Sequence, residues 1–561
     1  PARRAWNSRH RAATTAMASN KLAALHGYSG QADAAIDAAM STALSHRGAA
    51  QTLDPACLYA GSLSQKSAAA DHPDLPTFLK FLRGSFVLRM DTDKAIHLAR
   101  DAAGRRSLYY AIHNGRLLYA SEPKAILAVP GFQRQLRPAA VAQFLTFSFI
   151  PGKSTMLESL HALPPGSFVT FDKKSKTLTE PQRYHFPEDG SPPLGQTDWI
   201  DEFNQTFDTA IDRLVPTDDP YAVFLSGGID SSIVTARLAE RSSRPIDTFA
   251  IHFGKNYPNE LEYAAAVAAH SKTNHREIAI EPRDFIPRLH DFIRALDEPI
   301  GDPVALPNFE LARIVAQEFG HVFNGEGGDP LFGGPKNVPM MLHHWYGSSE
   351  TQAPGHRERA YLASYRRAYE ELNHLLTPEF QAKIEPTRDL ESILTPYFEA
   401  PTPRLLINKL SLINMRLKGA HLILPKVERT LGAHGITPLS PLFDEDLIDL
   451  SFRIPPTLKL ERGIEKIIMK QAFAKRVPQS VIDRPKVGMR VPVYHWMQKE
   501  LKRYAKSILS PKRLRADGIF NEERVKQLLS YRTEEGPGRY GIRLWMLITF
   551  HIWKDTVLDK N

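Results

Sequence analysis

The heptapeptide SGGIDSS at 226–232 constrains this chain more than any other stretch. It follows an apolar run, Ala222–Leu225, and precedes Ile233, Val234, Ala236 and Leu238, which have helical spacing. That order predicts a strand–loop–helix junction. Gly227 and Gly228 let the backbone approach a ligand, while Ser226, Ser231 and Ser232 offer hydroxyl and amide donors where a helix begins. Free N–H groups at a helix N-terminus favour phosphate. Asp230 would repel a polyphosphate unless a divalent cation lay between them, as magnesium commonly does. The loop thus predicts a Mg-nucleotide site; the plainer alternative is an ordinary Gly-Gly turn capped by Ser or Asp.

The following sequence alternates between helix and strand patterns. A helix near Trp199–Arg213 leads to the strand at 222–225, then a helix, a strand at Asp247–Phe253, a helix at Glu260–His270 and a strand at Arg276–Ile280. Helix Ala305–Glu318 precedes a further strand, Gly320–Phe323. Such alternation implies a parallel sheet with helices on both faces, and ligands in these sheets sit at the carboxyl ends of strands. SGGIDSS follows one strand end and NGEGGDPLFGG, Asn324 to Gly334, follows another. The second loop brings Glu326 and Asp329 to the edge that carries Asp230, where two aspartates could share one magnesium across a pyrophosphate. Taken alone, it could equally be a glycine-rich turn with solvated acids.

The first half reads differently. Strand-like pieces at Ser85–Met90, Ala95–Ala99, Ser107–Ile112, Arg116–Ala120 and Ser167–Phe171 are separated by turns such as His113-Asn114-Gly115 and Pro164-Pro165-Gly166. They predict hairpins in an antiparallel, sheet-rich domain. Pro187–Gln196, rich in Pro, Gly and acid, reads as a linker. With 561 residues the chain exceeds a single core. The division expected is a basic, disordered extension over 1–21, one domain over 22–190 and a second over 197–561.

The net charge of +9 comes largely from the two ends of the chain. Residues 1–32 contain Arg3, Arg4, Arg9, Arg11 and Lys21 and no acid before Asp33, a composition shared by transit peptides and by sequence upstream of a start at Met17. Between Lys459 and Arg532 the basic residues alternate with Glu461, Glu465, Glu522 and Glu523, as on solvated helices. Nucleic acid is therefore not an expected partner. No apolar stretch reaches the ~18 residues of a membrane span, and a cytoplasmic location is expected. Cys57 is the only cysteine, which rules out an intrachain disulfide and disfavours a Cys-based zinc site.

SGGIDSS resembles the pyrophosphate loop of the ATP-pyrophosphatase superfamily, and further matches are similar to its asparagine synthetase branch. These are DEPIGDPVALPNFELAR at 297–313, NGEGGDPLFGG at 324–334, PLSPLFDEDLIDLSFRIPPTLKL at 438–460 and RPKVGMRVPVYHWM at 484–497. In the first half LARDAAGRRSLYYA at 98–111, GRLLYASEPKAIL at 115–127 and LPPGSFVTF at 163–171 resemble the family's glutaminase domain. The resemblance implies an Ntn-hydrolase-like α+β domain followed by an α/β ATP-pyrophosphatase synthetase domain with C-terminal helices. It also implies an ATP-dependent ligase that adenylates a carboxylate, releases pyrophosphate and passes the acyl group to nitrogen.

By that resemblance Ser226, Gly227, Gly228, Ser231 and Ser232 hold pyrophosphate, Asp230 and Asp329 hold Mg²⁺, and the backbone of Leu225, Asn324 and Gly325 borders AMP. Glu326 matches the glutamate that manages protons on the incoming amine, and Lys486 matches the lysine that supplies charge at the reacting phosphorus. A solvent-facing lysine after a turn is the alternative for Lys486.

The sequence also departs from the family. Glutamine-dependent members begin with a catalytic cysteine, whereas residues 21–27 here read KLAALHG, and the segment between Gly61 and Leu79 lacks the glutamine-binding NGE stretch. His46-Arg47-Gly48 remains. At Lys426-Val427-Glu428-Arg429 and Thr437-Pro438-Leu439 the chain differs from typical asparagine synthetases, which makes aspartate a doubtful substrate. The expected enzyme joins a small-molecule or peptide carboxylate to ammonia or a substrate amine without glutaminase activity, as a homodimer or with a pathway partner. An intramolecular cyclase of the β-lactam or lasso-peptide type is the alternative, although lactam synthetases tend to carry tyrosine where Glu326 stands. A tRNA-modifying enzyme and an inactive partner protein are readings from other classes; the catalytic cysteine pairs and RNA-binding module of the former are not recognisable, and intact Asp230, Glu326, Asp329 and Lys486 oppose the latter.

Overall fold

The computed structural model describes residues 22–190, 194–217, 219–254, 256–334, 354–364, 368–484, 488–531 and 537–559. Lys486, the extension 1–21 and the linker residues 191–193 lie outside the described residues.

The first half is built from ten strands: β1 (His26–Tyr28), β2 (Gln51–Asp54), β3 (Cys57–Gln65), β4 (Arg83–Asp91), β5 (Ala95–Arg100), β6 (Tyr109–His113), β7 (Arg116–Ala120), β8 (His161–Ala162), β9 (Ser167–Asp172) and β10 (Gln182–Arg183). They form a four-stranded sheet, β1-β7-β6-β8, and a six-stranded sheet, β10-β9-β5-β4-β3-β2, with every pairing antiparallel. Strand alternation explains why two sheets arise. Along β4, Val87 faces a core shared with Leu117 and Tyr119 of the other sheet, while Phe86 and Leu88 face Phe78 and Leu79 on the far side. The hairpin between β6 and β7 turns through Asn114 and Gly115, both with positive φ, which matches the right-handed twist of the strands.

Five strands follow in the second half: β11 (Tyr221–Phe224), β12 (Asp247–His252), β13 (Asn274–Ala279), β14 (His321–Phe323) and β15 (Thr437–Leu439). They pair in parallel in the order β13-β12-β11-β14-β15. The chain builds outward from β11 through β12 to β13, then returns to the other side of β11 to lay down β14. That reversal leaves a crevice between the carboxyl ends of β11 and β14, where doubly wound sheets bind ligands. Both glycine-rich loops leave from those ends. Alternate residues of β11 fix the sheet between two cores: Ala222 packs with Leu311 and Val315, Val223 with Ile233 and Phe323.

Two features differ from the sequence reading. Gln196 belongs to the helix Gln196–Asp212 and not to the linker, because Asp198 reaches back to the Gly195 N–H at 3.0 Å and starts the helix there. The linker's Asp189 is tied to the second half, accepting from Leu405 N at 2.9 Å and Asn408 Nδ2 at 3.0 Å.

A long buried helix runs from Leu406 to Gly432, and its middle, Asn414–Ile423, is wound as a π-helix. The wider winding is held from the first half of the chain. Arg100 on β5 donates through Nη2 to Ala420 O at 3.0 Å, and Arg416 donates in return to Ala102 O at 3.1 Å and His185 O at 2.8 Å. Both guanidiniums are buried and find carbonyls as partners, as buried polar groups require.

Candidate active site

In the loop after β11 the hydroxyls close on the loop itself. Ser226 N donates to Ser231 Oγ at 3.1 Å, Gly228 N donates to Ser226 Oγ at 3.3 Å, and Ser232 Oγ donates to Gly228 O at 2.8 Å. Gly227 adopts φ +74°, and a Cβ there would lie 2.5 Å from Ala264 N. The turn thus requires glycine twice over. The helix Ile229–Arg241 begins immediately afterwards, with its first amides directed back at the crevice.

The loop after β14 packs against the first, backbone to backbone. A Cβ on Gly325 would lie 2.4 Å from Ser231 N. Asn324 orders its own loop: its side-chain oxygen accepts from Glu326 N at 3.0 Å and from Ser440 Oγ at 3.0 Å, while its N–H donates to Leu439 O at 3.0 Å.

Between the loops lies a cavity of about 320 Å³. Leu225, Ser226, Gly228, Asp230, Ser231, Asn324, Gly325, Glu326 and Asp329 line it. Gly227 and Ser232 stand behind the wall and shape the turn. A larger cavity, about 1060 Å³, opens beside His46, Lys124 and Asp297 but contains no residue of either loop. The chemistry-bearing groups gather in the smaller one.

Lys466 was not among the residues singled out in the sequence, yet it joins the two expected metal ligands. Its Nζ lies 2.8 Å from Oδ1 and 2.6 Å from Oδ2 of Asp230, and it also contacts Asp329 Oδ1. A signal for it existed: two carboxylates brought together need a cation, and Lys466 follows the Arg462-Gly463 turn of a short hairpin, Leu460–Glu465. The arrangement suits magnesium. Asp230 and Asp329, from separate loops, both reach Lys466, and Gly328 leaves room for the Asp230 carboxylate. Among the described residues no cluster of three or more His, Cys, Asp or Glu could hold a metal. A metal here would complete its shell with substrate or water oxygens, as magnesium does at phosphates.

The same cavity is also lined by Asp302, Asn308, Lys418 and Lys426. Lys418 comes from the π-helix, a winding that recurs at functional positions. Lys426 Nζ lies 3.2 Å from Asp302 Oδ2. Burial pulls the Lys426 ammonium down, but Asp302 and Glu326 more than compensate and hold it above the usual lysine range. Burial wins at Lys418, whose ammonium falls below that range despite Asp329 and Asp302.

In the first half, Arg47 Nε donates to Glu122 Oε1 at 2.5 Å and His46 lies against the same carboxylate. Cys57 is buried on the far face of the six-stranded sheet, and burial pushes its thiol up to about 12.

The asparagine synthase family profile matches residues 202–555, and the glutamine amidotransferase domain profile matches residues 76–185. The glutamine-hydrolyzing asparagine synthetase 1 of Bacillus subtilis (strain 168) is 24% identical over 511 residues, covering 86% of this chain and 78% of that protein. A putative glutamine-hydrolyzing asparagine synthetase of Mycobacterium bovis is 25% identical over 517 residues, covering 86% of this chain and 78% of its own. The carboxyethyl-arginine beta-lactam-synthase of Streptomyces clavuligerus is 25% identical over 422 residues, covering 74% of this chain and 66% of that protein. With the paired loops at the β11–β14 crevice and a profile match over most of its length, the chain belongs to the asparagine synthase family of ATP-dependent carbon–nitrogen ligases.

Proposed function

We propose that the protein adenylates a carboxylic acid and passes the acyl group to ammonia or a substrate amine, without drawing nitrogen from glutamine. The observation that carries the reading is the convergence of Asp230, Asp329 and Glu326 on one cavity between β11 and β14. In this reading Ser226, Gly228, Ser231 and the first amides of the helix Ile229–Arg241 hold the pyrophosphate end of ATP, with Gly227 and Ser232 fixing the turn. Leu225, Asn324 and Gly325 border the AMP end. Asp230 and Asp329 would hold Mg²⁺, which when bound would screen the phosphates and act as a Lewis acid toward them. Glu326 takes a proton from the amine as the amide forms. Lys486, from the RPKVG segment outside the described residues, supplies positive charge at the reacting phosphorus.

Three features support an enzyme without glutaminase chemistry. No cysteine stands at 21–27, Arg47 is engaged with Glu122, and the Cys57 thiol is buried and held protonated. The first half then serves as scaffold, with the domains dividing at 22–190 and 197–561. Similarity to a β-lactam synthase favours a second reading, in which acid and amine belong to one substrate and the amide closes a ring. The substrates lie within the cytoplasm, the enzyme acts as a homodimer or beside a pathway partner, and neither membrane nor nucleic acid takes part.

The test is the fate of ATP. Incubation with Mg²⁺ and a panel of amino-acid and peptide carboxylates should release AMP and pyrophosphate, with ammonia supporting amide formation and glutamine not replacing it. ADP and phosphate as products would overturn the assignment. Amide product at equal turnover from glutamine would overturn the nitrogen source alone.

A further inference from the structure

A buried charge at the seam between the two halves lacks a hydrogen-bond partner. The Arg106 side chain is 5% exposed, its guanidinium donates no hydrogen bond among the described residues, and its ion pair with Glu428 Oε1 spans 3.9 Å from Nη1. Arg105 beside it is engaged with Glu445 Oε1, at 2.6 Å. Burial pulls the Arg106 guanidinium down to about 10 against the pull of Glu428, and Arg47 adds to the fall, so the group stays charged at neutral pH at a cost. A guanidinium can donate but never accept. It needs acceptors.

Arg106 lines a pocket of about 40 Å³. Ser62 on β3 and Ser85 on β4, partners across the ladder, reach it from the first half, and Thr437 on β15 reaches it from the second. None of the three hydroxyls makes a hydrogen bond among the described residues. The described residues that line the pocket include two arginines and no acid. Its volume exceeds the ~10–15 Å³ that a single water needs and falls far short of the ~300 Å³ at which clefts for organic ligands begin. One small anion would answer the guanidinium and the hydroxyls together, through charge-assisted bonds about twice as strong as neutral ones.

We propose that this pocket binds a small monovalent anion, held by the Arg106 guanidinium and the hydroxyls of Ser62, Ser85 and Thr437, and that the anion ties the two halves together. The site does not depend on the substrate reading. Its wall at Val427 is nevertheless shared with the catalytic cavity, so the anion sits directly behind that cavity.

The experiment exchanges the full-length protein into sodium gluconate, whose anion is too large for the pocket, and titrates chloride or formate against it at constant ionic strength. Melting temperature is the readout. Wild type should rise along a saturating curve with at least one of the two, because a ligand bound only by the folded chain stabilises it. Chloride and formate separate a halide from a planar oxyanion as the preferred occupant. Arg106→Met should need about 10- to 100-fold more of the same anion for the same rise. No rise with either anion in wild type, or equal curves in wild type and Arg106→Met, overturns the site. Where Arg106→Met does not fold, the double variant Ser62→Val, Ser85→Val replaces it; it keeps the charge, loses two donors and should weaken the response about 10-fold. Equal curves in wild type and the double variant overturn the site as well. Crystals grown in bromide should then show an anomalous peak beside Arg106, and water alone there, or an adventitious ion only that persists in whichever variant folds, counts against it.

Discussion

Gly328 is the floor beneath Asp230: a side chain there would place Cβ 2.1 Å from Oδ1 and 2.5 Å from Cγ of the carboxylate. The loop after β14 therefore sets the position of the carboxylate offered by the loop after β11. Gly328→Ala should displace Asp230 by about 1 Å, and misplacement of that size costs about 100-fold in rate. Pyrophosphate release should fall accordingly while far-ultraviolet circular dichroism is unchanged. Full activity in this variant would show that the Asp230 position is not critical.

Glu326 and Lys486 should fail at different steps. Glu326→Gln should retain acid-dependent pyrophosphate exchange and lose amide product by roughly 100-fold or more. Lys486→Ala should lose exchange itself, by about 100- to 1000-fold. The reverse pattern in isotope-exchange and product assays would mean that the two roles have been exchanged or misassigned.

Glutamine alone should yield no glutamate above background at any ATP concentration. Cys57→Ala should leave amide synthesis unchanged, because the thiol is buried within an apolar cluster and pushed up to about 12. Glutamate release abolished by Cys57→Ala would contradict this.

The paired loops were legible in the sequence because their chemistry is local: glycines, serines and an acid packed into a few residues after an apolar strand. The strands around them were legible for the same reason, with ends displaced by a few residues. β3, the nine-residue strand Cys57–Gln65, and β15, Thr437–Leu439, were not, since Gly61 and Pro438 interrupt their patterns. Lys466 was missed because nothing near it in the sequence marks a site. Its role comes from partners at positions 230 and 329, brought together only by the fold. The winding at Asn414–Ile423 has the same character, being imposed by contacts from β5 and the segment beyond it.

Stability should depend on Glu298. Burial pushes its carboxyl from an ordinary 4.5 up to about 7, against the pull of Arg429 and the hydrogen bond from Tyr109 Oη at 3.2 Å. Between those values the folded chain keeps a proton that the unfolded chain releases, so the contribution is complete below pH 4.5 and lost as pH rises through 7. Glu298→Gln does not titrate. Its melting temperature relative to wild type should therefore improve from pH 5 to pH 8, by the equivalent of at most about 3 kcal/mol. A difference that stays constant with pH would rule this out.

Arg416→Ala should destabilise the chain by about 3 kcal/mol or more, since it strips donors from several buried carbonyls. It should also raise a substrate KM, because Lys418, which lines the cavity between the loops, is carried on the same π turn. Unchanged KM values in the folded variant would confine Arg416 to a structural role.

Arg100 reaches into the opposite half of the molecule for the Ala420 carbonyl, and Arg416 reaches back for those of Ala102 and His185, which has an evolutionary corollary. The chain cannot simply discard the amino-terminal half, because the buried Arg416 guanidinium would lose its carbonyls and Ala420 O its donor. Nor can it borrow that half from a relative unless the borrowed piece presents the same carbonyls at the same depth. Recombination within such a family should respect this seam, so that gene fusions and chimeras survive when cut outside the pair and die when cut between them.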